Sequence, residues 1–149
     1  MSKSKVFSLP VRVYFQDTDA GGVVYHANNL NFMERARTEW LRAHGYSNAG
    51  LMKEFGMVFV VRSMKLDYLR PALLDDLLEV TAQIKDIGRS RLTLLQTVRR
   101  RHGVAEQPGR EPPHGEELLT EAEVHLVCVS LASFKPASVP EILRKQLEK

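Results

Sequence analysis

The feature that most restricts the fold of this chain is a change of hydrophobic period after one amphipathic helix. Between Leu30 and Ala43, apolar residues recur every three or four positions and charged residues occupy the opposite face, which predicts an α-helix. After residue 56, apolar residues instead alternate with polar ones, a pattern typical of strands with one solvated face. One helix followed by several strands predicts an α+β fold, in which an antiparallel sheet wraps around the helix.

The sequence predicts about five strands for this sheet. A β-branched and aromatic run at 11–15 precedes the helix, and residues 1–10 show no strong pattern. Four alternating segments follow the helix, at 57–68, 78–85, 91–99 and 118–131. The turn at 88–90 is expected to join the second and third of these as a hairpin.

Polar residues, glycines and a proline predict where the helices begin and end. Asn28 or Asn29 is expected to cap the start of the long helix, and Gly45 supplies the left-handed residue that commonly follows a helix end. A short second helix is expected to end at Gly56. Residues 138–141 resemble a capping box with proline at the first helical position, which predicts a C-terminal helix.

Composition limits the class of protein. With 149 residues, of which 44% are apolar and 26% charged, the chain fits one globular domain spanning residues 1–149 and is not expected to be disordered. Its net charge is only +3 and its basic residues are scattered apart from a cluster at 99–102, so nucleic-acid binding is not expected. The single cysteine, Cys128, excludes an intramolecular disulfide and a multi-cysteine zinc site.

Apolar runs and loop composition give two further expectations. No apolar stretch is long enough for a membrane span and no signal-peptide pattern opens the chain, so we expect a cytoplasmic protein. Residues 102–117 contain three prolines, three glycines and no apolar periodicity, which predicts a long loop at a mobile hairpin tip. A variable insertion without function is the favoured interpretation of that loop.

The segment at 17–28 brings two acids and a histidine to the start of the long helix. Unpaired backbone N–H groups and the helix dipole favour negative charge at such a position. Asp17 and Asp19 point to the same side if the segment is extended, and repulsion between them would raise one pKa, as suits a base. The spacing does not choose between them. Each can also be a turn or cap residue, and His26 can be a polar residue at a helix start.

Such a segment carries the groups that thioester hydrolysis requires. A carboxylate takes a proton from water, backbone N–H groups hold the oxyanion, and the leaving thiol, with a pKa of about 8.5, departs without a strong acid. Gly21 and Gly22 allow a tight turn and a close approach to a ligand. The segment therefore indicates acyl chemistry.

These residues resemble a known family. The segments Asp-Thr-Asp-Ala-Gly-Gly-Val-Val-Tyr-His at 17–26 and Phe-Met-Glu-Arg-Ala-Arg-Thr-Glu at 32–39 are similar to the signature of hotdog-fold acyl-CoA thioesterases of the 4-hydroxybenzoyl-CoA thioesterase family. The likeness extends to Phe-Val-Val-Arg at 59–62, Tyr-Leu-Arg-Pro-Ala at 68–72 and Glu-Ala-Glu at 121–123. It is greatest for the YbgC-like branch, which is associated with the Tol-Pal system.

The resemblance implies a fold, an activity and a set of site residues. The family fold is a long helix clasped by a curved antiparallel sheet. Asp19 takes the position of the catalytic carboxylate, which acts as general base or as nucleophile, and the backbone N–H of His26 takes that of the donor to the thioester carbonyl. We expect Gly22, Val23 and Tyr25 to contact the substrate.

The resemblance also implies partners. Acyl-CoA thioesters with short-chain or aromatic acyl groups are the expected substrates, with acyl carrier protein thioesters as a further option and no metal or cofactor. Family members form dimers, often paired into tetramers, with each active site at a subunit interface. Asn29 stands where relatives usually carry tyrosine, so no acyl-contacting role is assigned to it. Arg62, Arg89 and Arg91 are candidates to bind the phosphates of coenzyme A, and each can equally be a solvated surface residue.

Two other interpretations stay open. The scaffold can serve as a non-catalytic acyl-binding or partner-binding module linked to the Tol-Pal system. Asp17 and Asp19 can also form the Mg²⁺ site of a phosphoryl-transfer enzyme, although no Gly-x-x-x-x-Gly-Lys phosphate loop accompanies them. A serine hydrolase is disfavoured because the chain has no Gly-x-Ser-x-Gly motif.

Overall fold

The computed structural model describes residues 5–101 and 116–149. Its strands are β1 Phe7–Arg12, β2 Met57–Tyr68, β3 Leu77–Ile87, β4 Arg91–Arg101 and β5 Glu116–Ser130. Its α-helices are α1 His26–Ala43, α2 Asn48–Phe55 and α3 Glu141–Leu147, and a short 3₁₀ turn spans Phe15–Asp17. The long helix and the strands that follow it are thus present, as predicted.

The described strands form one antiparallel sheet around the long helix. They lie in the order β1-β3-β4-β5-β2, so β1 and β2 are its edges. Helix α1 packs against β1, β3 and β4, and buries Phe32, Met33 and Trp40 between helix and sheet. Buried and less buried residues alternate along β3 and β4, which matches the predicted period of two. The predicted α+β architecture, a central helix wrapped by about five strands, is confirmed.

The first strand begins earlier than predicted. The sequence predicts a strand at 11–15, whereas β1 covers Phe7–Arg12 and a 3₁₀ turn occupies Phe15–Asp17. Pro10 weakens the sequence signal for the start of this strand, because proline is depleted in most strands. Here it is tolerated, since β1 is an edge strand that pairs with β3 alone and leaves one side of Pro10 without a strand neighbour.

Helix α1 begins two residues before its predicted cap. Its first residue is His26, and the preceding Tyr25 makes no side-chain capping bond. The side chain of Asn28 donates to Asp17, and the side chain of Asn29 donates to the carbonyl oxygen of His26. The prediction that Asn28 or Asn29 caps this helix is therefore wrong.

The other helix ends divide into confirmed and wrong predictions. Gly45 and Gly56 have φ values of 90° and 61°, so the left-handed residues after α1 and α2 are confirmed. The capping box at 138–141 is wrong, since α3 begins at Glu141 and the hydroxyl of Ser138 accepts a hydrogen bond from Nε of Arg89 at 2.9 Å.

Part of the predicted loop at 102–117 belongs to the sheet. Glu116 and Glu117 open β5, and residues 102–115 lie outside the described residues. Within the described ranges, no helix is long and apolar enough to cross a membrane.

Candidate active site

The active-site loop, residues 17–26, is fixed by the segment that follows β2. The N–H of Val24 donates to the carbonyl oxygen of Ala72, and the N–H of Leu74 donates to that of Gly22, both at 2.9 Å. A β-bridge lies between these two hydrogen bonds. Gly22 has a φ of 74°, a conformation that favours glycine. Backbone pairing therefore holds the loop in one conformation.

Asp17 is buried and supports the loop. It is 6% exposed. One carboxylate oxygen accepts from the N–H of Tyr14 at 2.8 Å, and the other accepts from Nδ2 of Asn28 at 2.9 Å. The carboxylate thereby joins the 3₁₀ turn to the first turn of α1. Because both oxygens already have a donor, this position fits a structural role.

Asp19 is exposed, and only one of its oxygens is engaged. Oδ1 accepts from the N–H groups of Gly21 at 2.8 Å and Val23 at 3.3 Å. Among the residues that the structure describes, Oδ2 has no hydrogen-bond partner. A carboxylate held in this way can take a proton from water or attack a carbonyl carbon.

The two acids do not share one side of the chain as their spacing suggests. That expectation requires both acids to lie in one extended segment, but Asp17 is the last residue of the 3₁₀ turn at Phe15–Asp17 and the chain becomes extended only at Thr18. Asp17 is consequently buried beside α1, while Asp19 is exposed and has no hydrogen-bond donor in common with it.

His26 opens α1, where backbone N–H groups lack partners within the helix. In the described part of the chain, no residue accepts a hydrogen bond from the His26 N–H. Tyr25 precedes it and is 52% exposed. The expected site residues therefore lie along one loop: Asp19, Gly22 and Val23 in its turn, Tyr25 and His26 at its helical end.

Tyr68, at the end of β2, holds His26 through two contacts. Its hydroxyl donates to the carbonyl oxygen of His26 at 3.0 Å, and its ring stacks on the imidazole with centroids 4.5 Å apart. The sequence marks Tyr68 only as part of a motif. Because the two residues are 42 positions apart, no local pattern could reveal this contact.

The three arginines considered for coenzyme A phosphates are all exposed. Arg62 lies at an irregularity of β2, where the pairing register with β5 shifts. Arg89 and Arg91 flank the turn between β3 and β4, and Arg89 is bonded to Ser138. Arg62 and Arg91 therefore remain candidates to bind the phosphates of coenzyme A, and their exposure is the only observation in favour of either.

Behind the loop, Arg100 of β4 joins segments that are distant in sequence. Its guanidinium donates to Asp76 at 2.8 Å, to Glu117 at 2.6 Å and to the carbonyl oxygen of Pro71 at 2.8 Å. Asp76 also accepts from the N–H of Leu73 at 2.8 Å. The three charged side chains are only 16–22% exposed. They tie the segment that pairs with the active-site loop to the sheet.

These ion pairs shift pKa values in the direction that favours the charged forms. The hydrogen bond from Arg70, followed by that from Arg100, outweighs burial and lowers the pKa of Glu117. Burial lowers the pKa of Arg100, but its bonds to Asp76 and Glu117 raise that pKa by more. The predicted basic cluster at 99–102 is thus partly neutralised by carboxylates.

Within residues 5–101 and 116–149, no three His, Cys, Asp or Glu side chains cluster as metal ligands. Cys128 is buried in the sheet, and burial raises the pKa of its thiol.

Known proteins resemble this chain over nearly its whole length. Residues 21–106 match the Thioesterase superfamily. Acyl-CoA thioester hydrolase YbgC of Escherichia coli O6:H1 is 43% identical over 136 residues, which cover 91% of each chain. The crystal structure of a probable thioesterase from Bartonella henselae shares 34% identity and superposes with a TM-score of 0.77 over 91% of this chain and 100% of that one. A mutant 4-hydroxybenzoyl CoA thioesterase complexed with 4-hydroxybenzoyl CoA, at 19% identity, shares the fold with a TM-score of 0.82 over 95% of this chain and 98% of its own. The chain therefore belongs to the Thioesterase superfamily, as its resemblance to the hotdog thioesterases implies.

Proposed function

We propose that this chain hydrolyses acyl-CoA thioesters, with Asp19 as the reacting carboxylate and the backbone N–H of His26 as the donor to the thioester carbonyl. One observation carries the proposal: within the described residues, Oδ2 of Asp19 and the N–H of His26 have no hydrogen-bond partner, and both lie on one braced loop. Membership of the superfamily supports it, as does the activity named for the Escherichia coli relative.

The reaction has two routes that use the same atoms. As a general base, Asp19 takes a proton from water while the water oxygen attacks the thioester carbon, and the carbon–sulfur bond then breaks to release coenzyme A. As a nucleophile, its Oδ2 attacks that carbon, coenzyme A leaves, and water hydrolyses the resulting anhydride. In both routes the carbonyl oxygen becomes an oxyanion, which the His26 N–H and the positive end of the helix dipole stabilise. A general base contributes about 10²–10⁴-fold and one oxyanion donor about 10²–10³-fold.

The residues between these two groups are proposed to contact the substrate. Gly22 has no side chain and Val23 lies in the braced turn, so the backbone can approach the thioester closely. Tyr25 is exposed beside them. Short-chain or aromatic acyl groups on coenzyme A are the proposed substrates, with acyl carrier protein thioesters as a second carrier to be tested.

We further propose that residues 1–149 act as one hotdog domain that assembles into a homodimer or homotetramer. Edge strand β2 supports this assembly, since its Val60 and Val61 are 40% and 46% exposed, and the neighbouring Leu69 is 52% exposed. A mass by light scattering equal to that of one chain would contradict it. A cytoplasmic location and a link to the Tol-Pal system stay predictions from the sequence.

A substrate panel tests the proposed activity. Purified protein is incubated with acetyl-, butyryl-, octanoyl- and benzoyl-CoA and with matched acyl carrier protein thioesters, and a thiol reagent reports the released carrier. We expect release of coenzyme A, unchanged when EDTA is present. No release from any member would favour the non-catalytic binding module, and release that EDTA does not reduce would dismiss the Mg²⁺ site at Asp17 and Asp19.

Tyr68→Phe is expected to lower kcat about 3- to 10-fold, because it removes the hydrogen bond to His26 but retains the stacked ring. The matched control is Tyr46→Phe, since Tyr46 packs against Phe55 rather than the active-site loop. Steady-state kinetics on a substrate from the panel measure both variants. Equal kcat values for Tyr68→Phe and wild type would show that this hydrogen bond does not position His26.

A further inference from the structure

The two groups proposed to act on the thioester lie on different pieces of backbone. Asp19 belongs to a hairpin, residues 18–24, in which its N–H donates to the carbonyl oxygen of Val23 at 2.9 Å. A β-bridge between Thr18 and Val24 closes this hairpin. The N–H of His26 belongs instead to the first turn of α1. The proposed reaction therefore requires the hairpin to be held in a fixed position relative to the helix.

Tyr25 is the hinge between the hairpin and the helix. Its φ of −56° and ψ of 138° are not helical, and the helix begins at the next residue. On the hairpin side, its N–H donates to the carbonyl oxygen of Asp17 at 3.4 Å. Hydrogen bonds of this kind usually measure about 2.7–3.2 Å, so this one is weak. The backbone thus holds the hinge less firmly than the hairpin and the helix on either side of it.

A side-chain hydrogen bond spans this hinge. Nδ2 of Asn28, in the first turn of α1, donates to Oδ1 of Asp17 at 2.9 Å. Asp17 directly precedes the hairpin and is 6% exposed, and its other oxygen accepts from the N–H of Tyr14 at 2.8 Å. The carboxylate is therefore fixed at both oxygens. Because a hydrogen bond to a carboxylate is stronger than one between neutral groups, the Asn28 bond is a firmer tie across the hinge than the long backbone bond beside it.

The amide of Asn28 is held in one orientation. Its Oδ1 accepts from Nδ2 of Asn31, one turn further along α1, at 2.8 Å. In the reversed orientation, the amide oxygen of Asn28 would face a carboxylate oxygen of Asp17, and two acceptors cannot bond to each other. Asn28 therefore presents a donor to Asp17, which neither an acid nor an alkyl side chain at this position could do.

We propose that Asn28 is a positioning residue for the thioester hydrolysis: its bond to Asp17 sets the position of the reacting carboxylate relative to the oxyanion donor. The inference rests on the proposed function, because it takes Asp19 and the His26 N–H to be those two groups. It adds a residue that touches neither the substrate nor a reacting atom and acts only through Asp17.

Loss of this bond is expected to change kcat rather than KM. The carboxylate and the oxyanion donor must act on one thioester at the same time, so a displaced hinge weakens interactions made in the transition state. Binding of the rest of the acyl-CoA does not depend on the angle between hairpin and helix. Asn28→Asp replaces the donor with a second carboxylate, which repels Asp17, and Asp17→Asn removes one of the two bonds made by the native carboxylate.

Exchanging the two side chains tests whether they act through each other. In the double variant Asp17→Asn with Asn28→Asp, the amide at 17 can accept from the N–H of Tyr14 and donate to the carboxylate at 28, which can still accept from Asn31. Each single substitution is expected to lower kcat about 3- to 10-fold, with KM within about twofold of the wild type. The double variant is expected to recover kcat to within about twofold.

Ser47→Ala is the matched control for a simple loss of stability. The hydroxyl of Ser47 caps α2 by accepting from the N–H of Gly50 at 3.0 Å, so its removal should lower the melting temperature. Helix α2 packs against β2 and carries none of the proposed site residues. Steady-state kinetics well below the melting temperature of every variant should therefore give the wild-type kcat for Ser47→Ala.

The outcomes separate this inference from the proposed function. If Asn28→Asp does not fold, Asn28→Ala removes the donor without adding a charge, and the same fall in kcat is expected. A wild-type kcat in the Asn28 variant, an equal fall in Ser47→Ala, or a double variant no more active than the single variants would overturn the inference alone. Failure of the wild type to hydrolyse any acyl-CoA would overturn the proposed function and the inference together.

Discussion

Asp19→Asn is expected to lower kcat/KM for acyl-CoA hydrolysis by about 10²–10⁴-fold while leaving the melting temperature unchanged. The asparagine oxygen can still accept from the N–H groups of Gly21 and Val23, so the turn is retained. An NH₂ group then replaces Oδ2, and it can neither take a proton from water nor attack a carbonyl. Steady-state kinetics and a thermal melt on the same preparation measure the two effects.

The neighbouring acid provides a control with the opposite signature. In Asp17→Asn, one of the two donors to the buried carboxylate, the N–H of Tyr14 or Nδ2 of Asn28, faces the new NH₂ group, and both of these bonds are part-buried. A fully buried donor left unsatisfied costs about 1–3 kcal/mol, so this variant should lose stability toward the lower end of that range, and its folded fraction should lose far less activity than Asp19→Asn. Wild-type turnover by Asp19→Asn would remove Asp19 from the mechanism, whatever Asp17→Asn does.

Local patterns were sufficient for most of the fold. One face of each element is buried, so buried residues recur once per turn in α1 and at every second position in β3 and β4. Gly45 and Gly56 are equally local, because a left-handed residue after a helix has few alternatives to glycine. The resemblance at 17–26 added the expected role of Asp19, which spacing alone could not choose over Asp17.

Contacts between residues distant in sequence could not be predicted in this way. The side chain of Asn28 suits a helix cap, but it bonds to Asp17, and this contact depends on how the loop folds back on α1. Arg37 looks like any charged residue of an amphipathic helix until Gln96, 59 residues away, is seen to hold it. Such pairs leave no periodic signal, because each is made once and by the tertiary fold.

Arg100→Met is expected to lower the free energy of unfolding by about 3 kcal/mol, which corresponds to a fall in melting temperature of roughly 6–12 °C for a chain of this size. The substitution leaves Asp76 and Glu117, 17% and 22% exposed, without the cation that lies between them. It also frees the carbonyl oxygen of Pro71, so the segment that braces the active-site loop loses its tie to β4. The free energy of unfolding, measured by chemical denaturation, and kcat/KM are therefore expected to fall together.

Two comparisons make this prediction specific to the Arg100 cluster. Arg101→Met removes an arginine from the same strand, but the Arg101 side chain that pairs with Glu79 is 51% exposed, so a loss of about 1 kcal/mol or less is expected.

The pKa of Glu117 is lowered in the folded protein, so the stability gained from its ion pairs is fully present above its ordinary pKa of 4.5 and is lost as the pH falls through the folded value. Arg70 still pairs with Glu117 in Arg100→Met, so the variant loses only the part of this stability that Arg100 supplies. The difference in stability between wild type and Arg100→Met should accordingly be largest near neutral pH and shrink in acid. Equal losses for the two arginine variants, or a difference that grows in acid, would show that the paired carboxylates do not brace the loop.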